Sequence, residues 1–214
     1  MIRLFRELHR RSRVKKYRMF MDLMRPMPGD RILNVGTTGS RMGFWEQLEH
    51  WYPHPDRITG GGLHYDAVLD YQESFPAITA VVFDGCCMPF PDKSFDIVYS
   101  NAVIEHLPGP DAVARFASEV QRVGKGWFIS TPNYWYPIEP HYHLPYLQLL
   151  PQRWQHRVAA NLGKPTYEYL QLLERRDMTR LFPTSEVVGC RVTFYPETLI
   201  ACRRPDSREI HARD

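Results

Sequence analysis

The sequence predicts an α/β protein built on a mostly parallel sheet with helices on both faces, and three observations carry that reading. Apolar runs of strand length alternate with segments of helical spacing along residues 31–130. The first run passes into a glycine turn, Asn34-Val35-Gly36-Thr37-Thr38-Gly39-Ser40, and then into a helix, which is how a βαβ unit opens. Polar or glycine residues stand at the ends of the later runs, and ligands of such sheets bind outside the carboxyl ends of the strands.

In chain order, Tyr17, Phe20, Met21 and Met24 recur at i, i+3, i+4 and i+7, one face of a helix that stops before Pro26. Residues 31–35 (RILNV) form the first strand, and Phe44, Leu48 and Trp51 mark the apolar side of the helix after it. Residues 57–59 form a second strand that runs into Gly60-Gly61-Gly62, expected to be a turn or a close approach. Residues 80–83 (AVVF) form a third strand, stopping at Asp84-Gly85, and residues 95–100 (FDIVYS) a fourth, followed by Asn101. Val113, Phe116, Ala117, Val120 and Val123 then keep helical spacing between a Pro110-Asp111 start and a Gly124 stop. Residues 127–130 (WFIS) form a fifth strand, ended by Thr131-Pro132-Asn133. Residues 134–143 (YWYPIEPHYH) are too irregular for a strand or helix and read as a loop over the crevice. Helices are expected near 144–160 and 166–181, then paired strands at 187–194 and 198–202 around Tyr195-Pro196-Glu197. The expected organisation is a basic helix over residues 1–26, a main domain over 27–204 and a polar tail over 205–214.

Composition narrows the class. With 214 residues, 43% hydrophobic and 24% charged, the chain is long and apolar enough to bury a core. No apolar run approaches the roughly 20 residues of a membrane span, and the basic N-terminus lacks the apolar segment of a secretory leader, so a cytoplasmic location is expected. The net charge of +3 is uneven: residues 3–18 hold eight Lys or Arg against Glu7 alone, leaving 19 bases against 23 acids elsewhere. A solvated helix face is the preferred reading of that arm, with weak contact to an anionic membrane surface as the other. An acidic body argues against nucleic acid as a partner. Cys86, Cys87, Cys190 and Cys202 form no CxxC pair and have no histidine at finger spacing, so reduced, packed thiols are expected rather than structural zinc.

Four segments together resemble one family: "RILNVGTTGS", "GGGLH", "VVFDGCCMPFPDKSFDIVYSNAVIEHL" and "GKGWFISTPNYWYPIEPHYHLPYLQLLP". They are similar to the class I S-adenosylmethionine (SAM)-dependent methyltransferases, type 11 branch, over roughly residues 29–151. The resemblance implies a Rossmann-like seven-stranded sheet with an antiparallel last strand, three layers α/β/α, SAM as cofactor and a small-molecule substrate. It also implies a cofactor site from Asn34, Gly36, Thr37, Gly39, Gly62, Leu63, Asp84, Gly85, Cys86 and Asn101. Gly36 and Gly39 let the backbone pass close to the methionine part of the ligand, and Asp84 would accept from the adenine amino group. Two positions depart from the family: Asn34 stands where a carboxylate is preferred, and Gly62 where an acid usually takes both ribose hydroxyls.

The acceptor would need a proton-accepting group, since methyl transfer to a hydroxyl or amine releases a proton. His106, and His141 with His143 and an orienting Glu139, are the candidates, each weighed against an ordinary structural histidine. Glu105-His106 matches part of an E-x-x-E-H run that holds a divalent cation in some quinone-pathway O-methyltransferases; Ala102 replaces its first acid, so no metal is expected. The functional expectation is a SAM-dependent methyltransferase acting on a small metabolite, a natural product or a cell-envelope saccharide or lipid precursor. A fold-retaining binding protein that has lost the donor, and an enzyme of this fold doing non-methyl chemistry, stay open as alternatives.

Overall fold

The computed structural model describes residues 2–37, 47–164 and 166–205. Five strands run parallel: β1 (Ile32–Val35), β2 (Ile58–Gly62), β3 (Thr79–Val82), β4 (Phe95–Asn101) and β5 (Gly124–Pro132). β6 (Ile138–Glu139) and β7 (Leu144–Pro145) form a separate two-stranded ribbon. β8 (Glu186–Cys190) pairs with β9 (Thr198–Arg203), and β9 lies antiparallel to β5. The main sheet has seven strands in the order β3-β2-β1-β4-β5-β9-β8, with β9 the antiparallel member.

Helices cover both faces: α1 (Ile2–Met24), α2 (Gln47–Trp51) and α3 (Tyr65–Ser74) on one, α4 (Gly109–Val123) and α6 (Arg175–Leu181) on the other, with α5 (Gln152–Asn161) further out. Central strands covered on both sides read as continuous apolar runs, because neither face meets water. β1 illustrates this. Leu33 and Val35 join the core under α4 and α6, Ile32 joins the core under α1 to α3, and all four of its residues are buried. The helix α4 follows from its spacing: Pro110 preorganises the first turn, Asp111 suits its positive end, and Val113, Phe116, Ala117, Val120 and Val123 all go into the core. Truncating Phe116 to Ala would cost about 3–5 kcal/mol, since the ring is fully buried.

Several expectations change on folding. Of the two expectations for the three glycines, the close approach holds and the turn does not: they are the second half of β2. A Cβ on Gly60 would overlap the Tyr71 ring and one on Gly61 the Val81 carbonyl, so α3 and β3 come close because those side chains are missing. Between β2 and β3 lies α3, for which no sequence signal had been read. The stretch expected to be helical over 144–160 starts with β7 and a single 3-10 turn at Leu147–Leu149, and becomes helical only after Pro151. The one expected over 166–181 is a helix only from Arg175, where Glu174 N–H donates to the Asp177 carboxylate at 3.0 Å. Gln171 N–H donates to the Glu105 carbonyl oxygen at 2.8 Å, which holds the preceding segment against the end of β4 instead. Residues 134–143 are not wholly irregular either: Ile138-Glu139 pairs with Leu144-Pro145.

The apolar face of the basic arm docks on the main body, as its helical spacing leads one to expect. Phe20 packs edge-on against Tyr99 (5.3 Å between ring centres) and Phe128 (5.6 Å), which docks α1 on β4 and β5. Among the described residues no helix is long and apolar enough to cross a membrane.

Candidate active site

The strand order reverses between β1 and β4, so the loops leaving their carboxyl ends diverge and open a crevice there. Its β1 side is built from backbone. Gly36 has φ +89°, and a Cβ on it would overlap Val103 Cγ2, so only glycine lets the chain turn at this point. Gly36 N–H and Thr37 N–H both donate to the Gly61 carbonyl oxygen, at 2.8 and 3.2 Å, pinning the turn to β2. Thr37 is buried, and its Oγ1 has no hydrogen-bond partner among the described residues. Thr38 and Gly39 lie outside the described residues.

Gly62 faces this turn with room to spare: a Cβ on it would meet only Gly36 Cα at 3.7 Å and Thr37 N and O at 3.9 Å. Leu63 beside it is 64% exposed, an apolar side chain left uncovered at the end of β2. Asp84 is exposed after β3, its Oδ1 accepting from Cys86 N–H at 2.8 Å. A Cβ on Gly85 would come within 3.1 Å of the Phe116 ring, so the chain passes over α4 at close range. The Cys86 thiol turns inward to donate to the Ala112 carbonyl oxygen at 3.4 Å, and burial pushes its pKa up, which leaves it a packed, unreactive group.

Asn34 is buried, and its amide donates to Glu49 Oε1, which also accepts from Tyr71 O–H at 2.7 Å. The carboxylate lacking at the strand end is therefore one hydrogen bond away, on α2. Burial raises the Glu49 pKa against the lowering effect of these two donors, and Glu49 Oε2 has no partner among the described residues. Sequence reading missed Glu49, because an acid next to Leu48 on an amphipathic helix looks solvent-facing.

The β4–β5 side holds buried titratable groups. Asn101 Oδ1 accepts from Lys16 Nζ and from Ser130 Oγ, both at 2.7 Å. Lys16 comes from α1, and burial depresses its pKa to about 8. It too was missed, though a signal was there: Lys16, Phe20 and Met24 are spaced four apart on the face that docks. Glu105, on a 3-10 turn at Ile104–His106, is fully buried and accepts from Thr131 Oγ1 at 3.1 Å through Oε2. Its pKa is pushed up to about 7 by burial.

Of the candidate histidines, the fold brings two together. His106 and His141 meet edge to face with ring centres 4.9 Å apart, and Tyr167 packs against both. His141 Nδ1 is 2.8 Å from the buried carboxylate of Glu139, as an orienting pair requires, and burial lowers the His106 pKa. His143 is not one of the side chains that converge with Glu105; burial lowers its pKa, and its backbone N–H donates to the Glu139 carbonyl oxygen at 2.8 Å. The Asn133 amide is engaged within the fold: it donates to the Pro196 carbonyl oxygen at 2.9 Å and accepts from Trp135 N–H at 3.1 Å.

Comparison with known proteins follows the same outline. A family model described as a methyltransferase domain matches residues 50–129. Two uncharacterized proteins from two strains of Mycobacterium tuberculosis are 36% identical over 101 residues, which is 46% of this chain and 33% of theirs. The match therefore spans about a third of the length of those relatives. Among solved structures, a geranyl diphosphate C-methyltransferase from Streptomyces coelicolor, in complex with Mg2+, geranyl diphosphate and S-adenosyl-L-homocysteine, superposes with a TM-score of 0.60 at 14% identity. That alignment covers 92% of this chain and 80% of the other. A SAM-dependent methyltransferase from Methanosarcina mazei gives 0.57 at 14% identity, over 83% and 92% of the two chains. The chain has the Rossmann-like fold seen in SAM-dependent methyltransferases, and its residues 50–129 match the methyltransferase-domain family model.

Proposed function

We propose that this protein is a SAM-dependent methyltransferase acting on a small metabolite, a natural product or a cell-envelope saccharide or lipid precursor. The observation that carries the reading is the bare turn at Gly36. Its backbone, the open space in front of Gly62, the exposed Leu63 and the exposed Asp84 follow one another across the ends of β1, β2 and β3. Thr37 Oγ1, without a partner among the described residues, is a buried polar atom that a ligand in this turn would satisfy. Gly36 and Thr37 would border the methionine part, Gly62 and Leu63 the ribose, and Asp84 with Gly85 and the Cys86 backbone the adenine. When bound, SAM supplies an electrophilic methyl group on a positively charged sulfur.

The chain's own residues do the rest. α1, held by Phe20, covers the β4–β5 side and brings Lys16 to Asn101. In-line placement of donor and acceptor supplies much of the acceleration. His141, oriented through Nδ1 by Glu139, and His106, kept neutral by burial, offer lone pairs for the acceptor's proton at the ends of β4 and β5. Calorimetric titration with SAM and with its demethylated product tests the reading: binding of both in the micromolar range is expected, and binding of neither rejects it. A product mass increase of one methylene then separates methyl transfer from other chemistry on the same fold.

A further inference from the structure

The geometry points to a divalent transition-metal site formed by Glu105, His106 and His141. It goes beyond the methyltransferase reading and does not depend on it. One ligand atom from each of these three side chains lies within 4.8 Å of the other two. Metal–nitrogen and metal–oxygen bonds of about 2.1 Å allow donors at most ~4.2 Å apart, so a small inward turn of the rings closes the set. Ala102 in place of an acid does not remove the site, because His141 arrives from a loop 36 residues after Glu105 to provide a third ligand.

Three features distinguish this from a chance meeting of polar groups. Glu105 is 0% exposed, and its Oε1 has no hydrogen-bond partner among the described residues, although Oε2 is used by Thr131. A fully buried carboxylate oxygen left without a donor is costly, and a cation is the partner that would remove the cost. Both imidazoles are held through Nδ1, by Glu139 Oε1 at 2.8 Å for His141 and by the Tyr169 carbonyl oxygen at 3.4 Å for His106, which leaves Nε2 of each for a ligand. A ligating histidine characteristically gives its other ring N–H to a carboxylate or carbonyl, and here both do. Glu139 is itself fully buried and ties the Tyr142 N–H with its second oxygen at 2.6 Å, so the orienting group is fixed in turn.

Two imidazoles and one carboxylate select zinc, iron(II) or cobalt(II) over magnesium or calcium, which prefer oxygen throughout. Three protein ligands leave positions open for water or for an oxygen of the acceptor. With the metal bound, the imidazole lone pairs are occupied, and the site would act on an acceptor oxygen through the cation. Glu139 is then a positioning residue for His141.

The test is titration of the metal-stripped, untagged full chain with Co2+ alone, followed by visible absorption and calorimetry. One Co2+ per chain is expected, with ligand-field bands that disappear in His106→Ala and His141→Ala. Glu139→Gln should keep the bands and bind about 10–100-fold more weakly. Glu105→Gln preserves shape and reports loss of binding even where a histidine variant fails to fold by circular dichroism. Absence of stoichiometric Co2+ binding, or binding unchanged in Glu105→Gln and the folded histidine variants, overturns the site. SAM titration is run separately: SAM binding without Co2+ binding removes the metal site alone, and the reverse removes the donor site alone.

Discussion

On the β1–β2–β3 side of the crevice the chain offers main chain and small residues, while on the β4–β5 side it offers buried charge. Gly36, Gly60 and Gly61 bring backbone and neighbouring elements close together, Gly62 leaves open space, and among the described residues the polar groups there include Thr37, Asp84 and the Asn34–Glu49 pair. Across the switch point, Lys16, Glu105, Ser130, Thr131 and Glu139 are buried, with Asn101 bonded to Lys16 and Ser130, Thr131 to Glu105 and His141 to Glu139. Shape discriminates on the first side, and electrostatics on the second. A ligand common to many relatives can be held by a turn that excludes side chains. On the proposed reading the acceptor's proton needs a base, and on this side burial shifts the pKa values of Lys16, Glu105 and His106.

The comparison can be broken most severely at Gly36. Gly36→Ala puts a Cβ into Val103 at a positive φ, and should cost about 3 kcal/mol or more and abolish SAM binding. Urea denaturation and calorimetry would show both effects; unchanged stability would mean the turn is not as tight as described. Next comes Lys16. Below pH 8 it is charged in both folded and unfolded states, so the cost of burying it is fully present; above about 10.5 it is neutral in both and the cost is gone. The interval between these values corresponds to roughly 3 kcal/mol, partly offset by the hydrogen bond to Asn101. Lys16→Met should therefore be more stable than the parent by about 1–3 kcal/mol at pH 7, the gap closing as pH rises from 8 to 10.5, followed by denaturation at each pH.

Smaller effects sharpen the donor side. Gly62→Asp finds only ordinary contacts for its Cβ and should fold within about 0.5 kcal/mol of the parent, while SAM affinity rises roughly 3- to 10-fold through a charge-assisted bond to the ribose. No change in SAM affinity would favour a pocket that has changed occupants. Asp84→Asn retains an acceptor for Cys86 N–H and should leave stability unchanged while weakening SAM a few-fold, read by the same calorimetry.

Much of the sheet was legible because strand and helix periods are local: β1, β4, β5, β9 and α4 fall close to where apolar spacing puts them. Failures came where a partner overrode local character. Three glycines read as either a turn or a close approach until Tyr71 and Val81 are seen filling the space they leave, which decides for the close approach, and 144–150 looks helical until Leu144-Pro145 pairs with Ile138-Glu139. In the site, Gly36 and Asp84 could be named from motif position. Glu49 and Lys16 could not be named as readily, because a charged residue on a helix is ordinarily solvated and only its neighbours in space show that it is buried.

By itself the sequence determined the class of the fold, most strands of the main sheet and the turn glycine Gly36, since each depends on residues within a few positions of one another. The tertiary structure alone decided that Lys16 meets Asn101, that Asn34 meets Glu49, and that His141 joins Glu105 and His106. Those meetings join residues 15 to 85 positions apart, and the register of docked helices and loops, not any local period, sets which of them touch.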